Sequence, residues 1–267
     1  MSNVADTTVP SEVNLPARVA IIALTAILYT FGKWITAGIQ TPWGVGQLLI
    51  GIFLPAFMAV TADTLSVAIG AGLGTFVGDI FVRTNPVLSL LAGVPANFVA
   101  FLLFGWFVKK YRSWPAFVAG TVAFVTLGNL IAAINVYFFI PFALGVTLPS
   151  SAILGLTVFW NTTSIPAILI AVPILVRAVR PLFGRSRILT NYPAWSGSIG
   201  GMQTLYAVVF ALLYAAFGAL IFLVSPTSVA TAPGLGYFAI AAVLVLVFGP
   251  FSSVIAGSRA GSKNASS

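Results

Sequence analysis

The sequence predicts an all-α integral membrane protein, a bundle of about eight transmembrane helices, and three observations carry that expectation. Of the 267 residues, 60% are hydrophobic and 6% charged, with a mean hydropathy of +1.09; a water-soluble fold of this composition would expose most of its apolar surface. Apolar runs of the length needed to cross a bilayer core, about 20 residues for about 30 Å, recur along the chain. The Lys and Arg residues that give a net charge of +8 fall in short clusters between those runs, a pattern that orients a protein in its membrane rather than one that binds nucleic acid.

The elements follow in order. Residues 1–17 are polar, hold Asp6 and Glu12, and read as a tail. A first span is expected over 19–39, carrying Lys33, with a turn at 40–44. The apolar stretch 47–82 is too long for one simple span. It is divided near Ser66 into two helices, the second ending at Asp79. Gly70, Gly74 and Gly78 in that second helix make overlapping GxxxG spacings, which permit close backbone approach between helices. Further spans are expected over 86–108, 114–141 and 151–176, then, after the polar linker 185–199, over 200–224 and 235–256.

Basic clusters test this count. Lys109, Lys110 and Arg112 form one, Arg177, Arg180, Arg185 and Arg187 a second, and Arg259 with Lys263 a third. An even number of spans separates each from the next, so all lie on one side, expected to be cytoplasmic. With 47–82 as two helices, Arg18 and the N-terminus lie there as well. One long helix would instead put the N-terminus outside.

Composition also narrows the function classes. The chain has no Cys and no His, and its only acids are Asp6, Glu12, Asp63 and Asp79. Thiolate chemistry, the commonest metal ligand and a paired-carboxylate site are all missing, and no GxxxxGK[ST] run binds nucleotide phosphates. No enzyme activity, metal or cofactor is expected, and any ATP hydrolysis belongs to another chain.

Four stretches carry a family resemblance. FLPAFMAVTADTLSVAIGAGLGTFVGDI (53–80) looks like the second and third helices of the substrate-binding S component of energy-coupling factor (ECF) transporters. GVPANFVAFLLFGWFVKK (93–110) and GTVAFVTLGNLIAAINVYFFIP (120–141) look like its fourth and fifth helices, and FWNTTSIPAILIAVPILVRAVRP (159–181) resembles its closing helix. The likeness covers roughly the first two thirds of the chain. It implies a six-helix S-component-like core over 18–184; residues 200–267, a two-helix extension and basic tail, lie outside the likeness. It further implies capture of a vitamin-like small molecule for uptake across the cell membrane, with a coupling transmembrane subunit and ATPase subunits as partners.

Polar groups inside a membrane need a partner or a wet cavity, so they are the place to seek a site. In the expected topology the outer half collects Lys33, Trp34, Trp43, Asn129, Asn135, Tyr137, Trp160, Asn161, Thr162 and Thr163, with Asn97 near mid-depth. Lys33 stands about 20 Å along the first helix from Arg18. Indoles offer faces for stacking, amides offer paired donors and acceptors, and Lys33 can meet a carboxylate or phosphate, so an uncharged or anionic organic molecule is expected. Trp and Tyr are also enriched at membrane interfaces, and Asn serves as interhelical glue. Asp79 precedes Arg83 by four residues and is expected to pair with it. Asp63, flanked by Thr61, Thr64 and Ser66, is the candidate functional acid. Membrane lipid is the expected solvent; nucleic acid is not an expected partner. Two other functions share these features: a self-sufficient secondary transporter or channel, and a structural subunit of a membrane complex.

Overall fold

The first helix, α1 (Leu15–Ile35), begins where the sequence supplies a start signal. The Asn14 side chain accepts from the Ala17 N–H at 3.1 Å, and Pro16 sits in the first turn, where no backbone N–H is needed. Three residues assigned to the polar tail are therefore helical. In the computed structural model, which describes residues 13–37, 41, 45–82, 85–193 and 195 with isolated positions between 205 and 216, every regular element is a helix. Five are long and apolar enough to cross a membrane, which makes the chain a multi-pass helical membrane protein. The expected spans 200–224 and 235–256, and with them the count of eight, lie outside the described residues.

The stretch 47–82 does divide, but earlier than expected. A 3-10 turn (Ile50–Ile52) leads into the short helix α2 (Phe53–Thr61), and α3 (Thr64–Phe81) starts only three residues later. The break falls at Ala62 and Asp63 rather than near Ser66 because Asp63 is the N-cap. Its carboxylate accepts from the backbone N–H of Ser66 at 3.0 Å and from the Ser66 hydroxyl at 2.6 Å. Then come α4 (Pro86–Tyr111), which contains a π-helical turn over Ser89–Gly93, α5 (Trp114–Leu144) and α6 (Ser151–Ala178). The fifth helix passes the expected stop at Pro141 and ends at Gly145, which takes the left-handed cap conformation with φ 67°. Proline is tolerated inside membrane helices because neighbouring groups satisfy the freed carbonyl.

Helices α1 and α3 lie side by side and parallel. A Cβ placed on Gly70 would lie 2.7 Å from the Ile22 carbonyl oxygen, and one on Gly74 would lie 2.7 Å from that of Ala26. The glycine series is thus a seam for α1, closed by a bond from the Thr30 hydroxyl to the Gly74 carbonyl at 3.2 Å. Helix α2 runs back beside α1, with Gly51 packed backbone to backbone on Gly32. Its last carbonyls are clamped at the far end. Lys109 donates to Ala62, and Asn191 donates its backbone N–H to Thr61 at 2.9 Å and its amide to Val60 at 2.8 Å. The same end holds Arg112, bonded to Asn191 at 3.0 Å. The expected polar linker is not a free tether here: Leu189 and Trp195 are buried, and Trp195 stacks on Phe117 with centroids 4.7 Å apart.

Arg18, Asp63, Lys109 and Asn191 therefore share one end of the bundle. Burial raises the Asp63 pKa, but the two Ser66 bonds, Lys109 and Arg18 outweigh it and hold the carboxyl below its ordinary 3.8. A depressed folded pKa contributes stability that is complete above pH 3.8 and is lost as pH falls through the folded value. Asp63→Asn, which keeps a capping side chain but cannot titrate, is expected to flatten the loss of thermal stability below that pH. An unchanged acid profile would contradict the assignment.

Candidate binding site

At the end opposite Asp63, the helices do not close among the described residues. A cavity of about 240 Å³ lies between two packed clusters, one containing Tyr29, Ile52, Phe101 and Val125, the other Leu88, Ala92, Val136 and Trp160. It exists because α2 is short. Beyond its start at Phe53 and the 3-10 turn before it, where a full helix would continue, the chain instead folds inward over 45–49, and Val45, Gly46, Gln47 and Leu49 form part of the wall.

Four of the sequence-derived candidates meet there: Lys33, Asn97, Asn129 and Trp160. The Lys33 ammonium does not stand alone. It donates to Asp79 on α3, whose second carboxylate oxygen accepts from the Ser89 hydroxyl on α4. Asp79 thus takes a partner 46 residues away; its expected pairing with Arg83 lies outside the described residues. The Lys33 carbonyl accepts from the Gln47 amide at 2.7 Å, and the ammonium lies 6.0 Å from the centre of the Tyr29 ring. Tyr29 donates to the Asn97 side-chain oxygen at 3.2 Å, and Asn97 donates to the Gly93 carbonyl at 3.0 Å. Asn129 donates to Asn161 at 2.7 Å, so Asn161 stands behind the wall and orients a residue that lines it.

The π-helical turn in α4 belongs to this arrangement. It brings Ser89 to Asp79, and its carbonyls at Leu91 and Gly93 accept from the Asn135 and Asn97 amides, a local irregularity of the kind that recurs at functional sites. Asn135 is thereby spent on holding α5 to α4. Other candidates are placed elsewhere. Trp34 is 60% exposed on the outer face of α1 beside Phe31, one position off the face that carries Tyr29 and Lys33. Tyr137 packs against Phe138, and Thr162 bonds back to Val158 and Phe159 on its own helix. Asp63 caps α3 at the opposite end of the bundle, and Trp43 lies outside the described residues.

Tyr29, Gln47 and Ser89 were missed. Tyr29 had a signal, since it precedes Lys33 by one helical turn and shares its face. Gln47 and Ser89 had none, because their partners come from loop closure and from the π turn.

Trp160 is buried, and its indole N–H has no hydrogen-bond partner among the described residues, an uncommon state for a buried indole. Gly46, with φ +78°, lies against this ring; a Cβ there would fall 2.6 Å from the indole Cζ2. Gly46→Ala combines a left-handed backbone with that clash and is expected to cost about 1–3 kcal/mol and to displace the loop from the cavity. Thermal unfolding of the purified variant checks this, and an unchanged midpoint would contradict the close packing.

No protein-family model matches the chain, and no curated protein or solved structure matches it either.

Proposed function

We propose that this chain is the substrate-capturing membrane subunit of an ATP-driven uptake transporter for a vitamin-like small molecule, and that its cavity faces away from the cytoplasm. The observation that carries the reading is the cavity itself. About 240 Å³ of space persists at the end remote from Arg18, Lys109 and Arg112, walled by the Tyr29 hydroxyl, four amides, an ion pair and an indole. Apolar walls with a few convergent polar groups are the usual make-up of a small-molecule site. The other end is filled by Phe104, Phe117, Trp114 and Trp195, so the cavity is suited to holding a molecule and not to conducting one. With no nucleotide-binding motif in the sequence, release to the cytoplasm falls to partner subunits: a coupling membrane protein and ATPases.

A thermal-shift screen of the purified chain against vitamins and nucleobases tests the capture step. Stabilisation by one compound, lost on Asn97→Ala or Asn129→Ala, is the expected result. Stabilisation indifferent to both changes would discard this site. Co-purification of ATPase subunits from native membranes tests the partnership.

A second reading, a self-sufficient ion-coupled transporter, draws support from the intramembrane Lys33–Asp79 pair, since ionisable groups at membrane depth mark ion and proton paths. Substrate uptake by liposomes holding this chain alone, driven by a pH gradient, would favour it over the first.

A further inference from the structure

We infer that the ligand of this cavity is an elongated amphiphile, polar at one end and at the other an uncharged ring or short alkyl chain, and that it enters apolar end first. This rests on the capture reading above and narrows it. The cavity is graded along the bundle axis. Lys33, Asp79 and Ser89 are bonded together and so share one level near the mouth, where Gln47 is tied to the Lys33 carbonyl and Asn85 stands one turn above Ser89. One turn deeper come Tyr29, Thr75 and Gly93, each four residues along its helix from that level. Asn97, bonded to the Tyr29 hydroxyl, is one turn deeper again. Asn129 lies near it, because the adjacent Gly128 packs on Ala96 and Ala100. The floor is formed by Ala100, Phe101 and Val125, with Phe104 and Phe117 packed beyond.

Apolar side chains line every level, but the polar ones stop at Asn97 and Asn129. Below them the floor offers a ligand no side-chain donor or acceptor among the described residues. Its backbone groups are bonded within α4 and α5, and the Thr121 hydroxyl, one turn below Val125, is given to the Phe117 carbonyl at 2.7 Å. A polar end placed there would leave water without gaining a partner; an apolar end gains by leaving water. Phe101 follows Ser89 by twelve residues, about 18 Å of helix. A molecule that meets both the polar levels and the floor is therefore long, and with about 240 Å³ spread over that depth it is also slender. This gradient is set by where the polar groups end, whatever net charge the mouth carries.

Six-carbon compounds that differ at their two ends test this, with binding to the purified full chain measured by calorimetry. Hexanamide, hexanoate and hexylamine end in a methyl; 6-hydroxyhexanamide, 6-hydroxyhexanoate and 6-aminohexanol carry the same heads and end in a hydroxyl. Comparison within a pair cancels the head. For the head that binds best, the methyl-ended compound is expected to bind about tenfold to a hundredfold more tightly, the range over which an apolar pocket rejects an added hydroxyl. Val125→Phe, which fills the floor, is expected to erase that preference. Should this variant fail to fold, the order within the pairs on the unaltered chain still decides. A hydroxyl-ended compound that binds as well as its methyl-ended partner, or better, overturns the inference. So does a preference that survives Val125→Phe, which would place the apolar end elsewhere. If none of the six binds, the inference fails, and the capture reading stands or falls separately with the vitamin and nucleobase screen.

Discussion

Replacing Gly74 by Ala is expected to lower the stability of the bundle by about 1–3 kcal/mol, and replacing both Gly70 and Gly74 to cost more than either change alone. The added methyl at 74 would meet the Ala26 carbonyl oxygen at 2.7 Å and the Ala26 Cα at 3.0 Å. Both are backbone atoms of α1, so relief requires the whole helix to move. At 70 the obstacle is the Ile22 carbonyl at 2.7 Å together with Thr25 Cβ at the same distance. Moving α1 outward would also break the Thr30 bond to Gly74 and pull Lys33 from Asp79, so ligand binding is expected to weaken with stability. Gly72 provides the control. It is buried in the same helix but faces α4, and a Cβ there meets Val94 Cγ1 at 3.5 Å, an ordinary contact. Gly72→Ala is therefore expected to be neutral or stabilising, since Ala is the better helix former. Thermal midpoints of the three purified variants decide the matter. Equal losses at 72 and 74 would mean that the glycines act through helix flexibility rather than through a seam.

The second large effect concerns the ion pair. Lys33→Met leaves Asp79 buried without this partner, and Asp79→Leu leaves Lys33 likewise; each is expected to cost about 3–5 kcal/mol. The double change removes both charges together and is expected to recover most of that loss. A double-mutant cycle on unfolding measures the coupling. Two single changes that are each harmless would show that the contact between Lys33 and Asp79 contributes nothing to the fold.

Both predictions concern features that were half visible in the sequence. The glycine spacing announced that some helix would come close to α3, but α1 is 48 residues away at the contact, and nothing in Ile22 or Ala26 marks them as its partners. Lys33 was recognisable as a cation at membrane depth. Its bond to Asp79 left no sign in the sequence, where local spacing is the only proximity on display and the basic residue one turn from Asp79 is Arg83. Asn97, Asn129 and Trp160 were found by their polarity within apolar runs. Trp34 and Asn135 share that polarity but do not line the cavity: the first lies on the outer face of α1 and the second is taken up by the Leu91 carbonyl.

The sequence by itself determined the solvent, the helical class, the positions of the described spans and the shared end of Arg18, Lys109 and Arg112. Those properties follow from hydropathy and from the need to satisfy every backbone group within the bilayer, both of which act along the chain. Only the tertiary structure decided that α2 stops short, that the cavity opens where it is missing, and that Lys33 and Asp79 meet in its wall. Those are outcomes of packing between segments far apart in the chain, where a carbonyl meeting a glycine, or a carboxylate meeting an ammonium, leaves no trace in the order of residues.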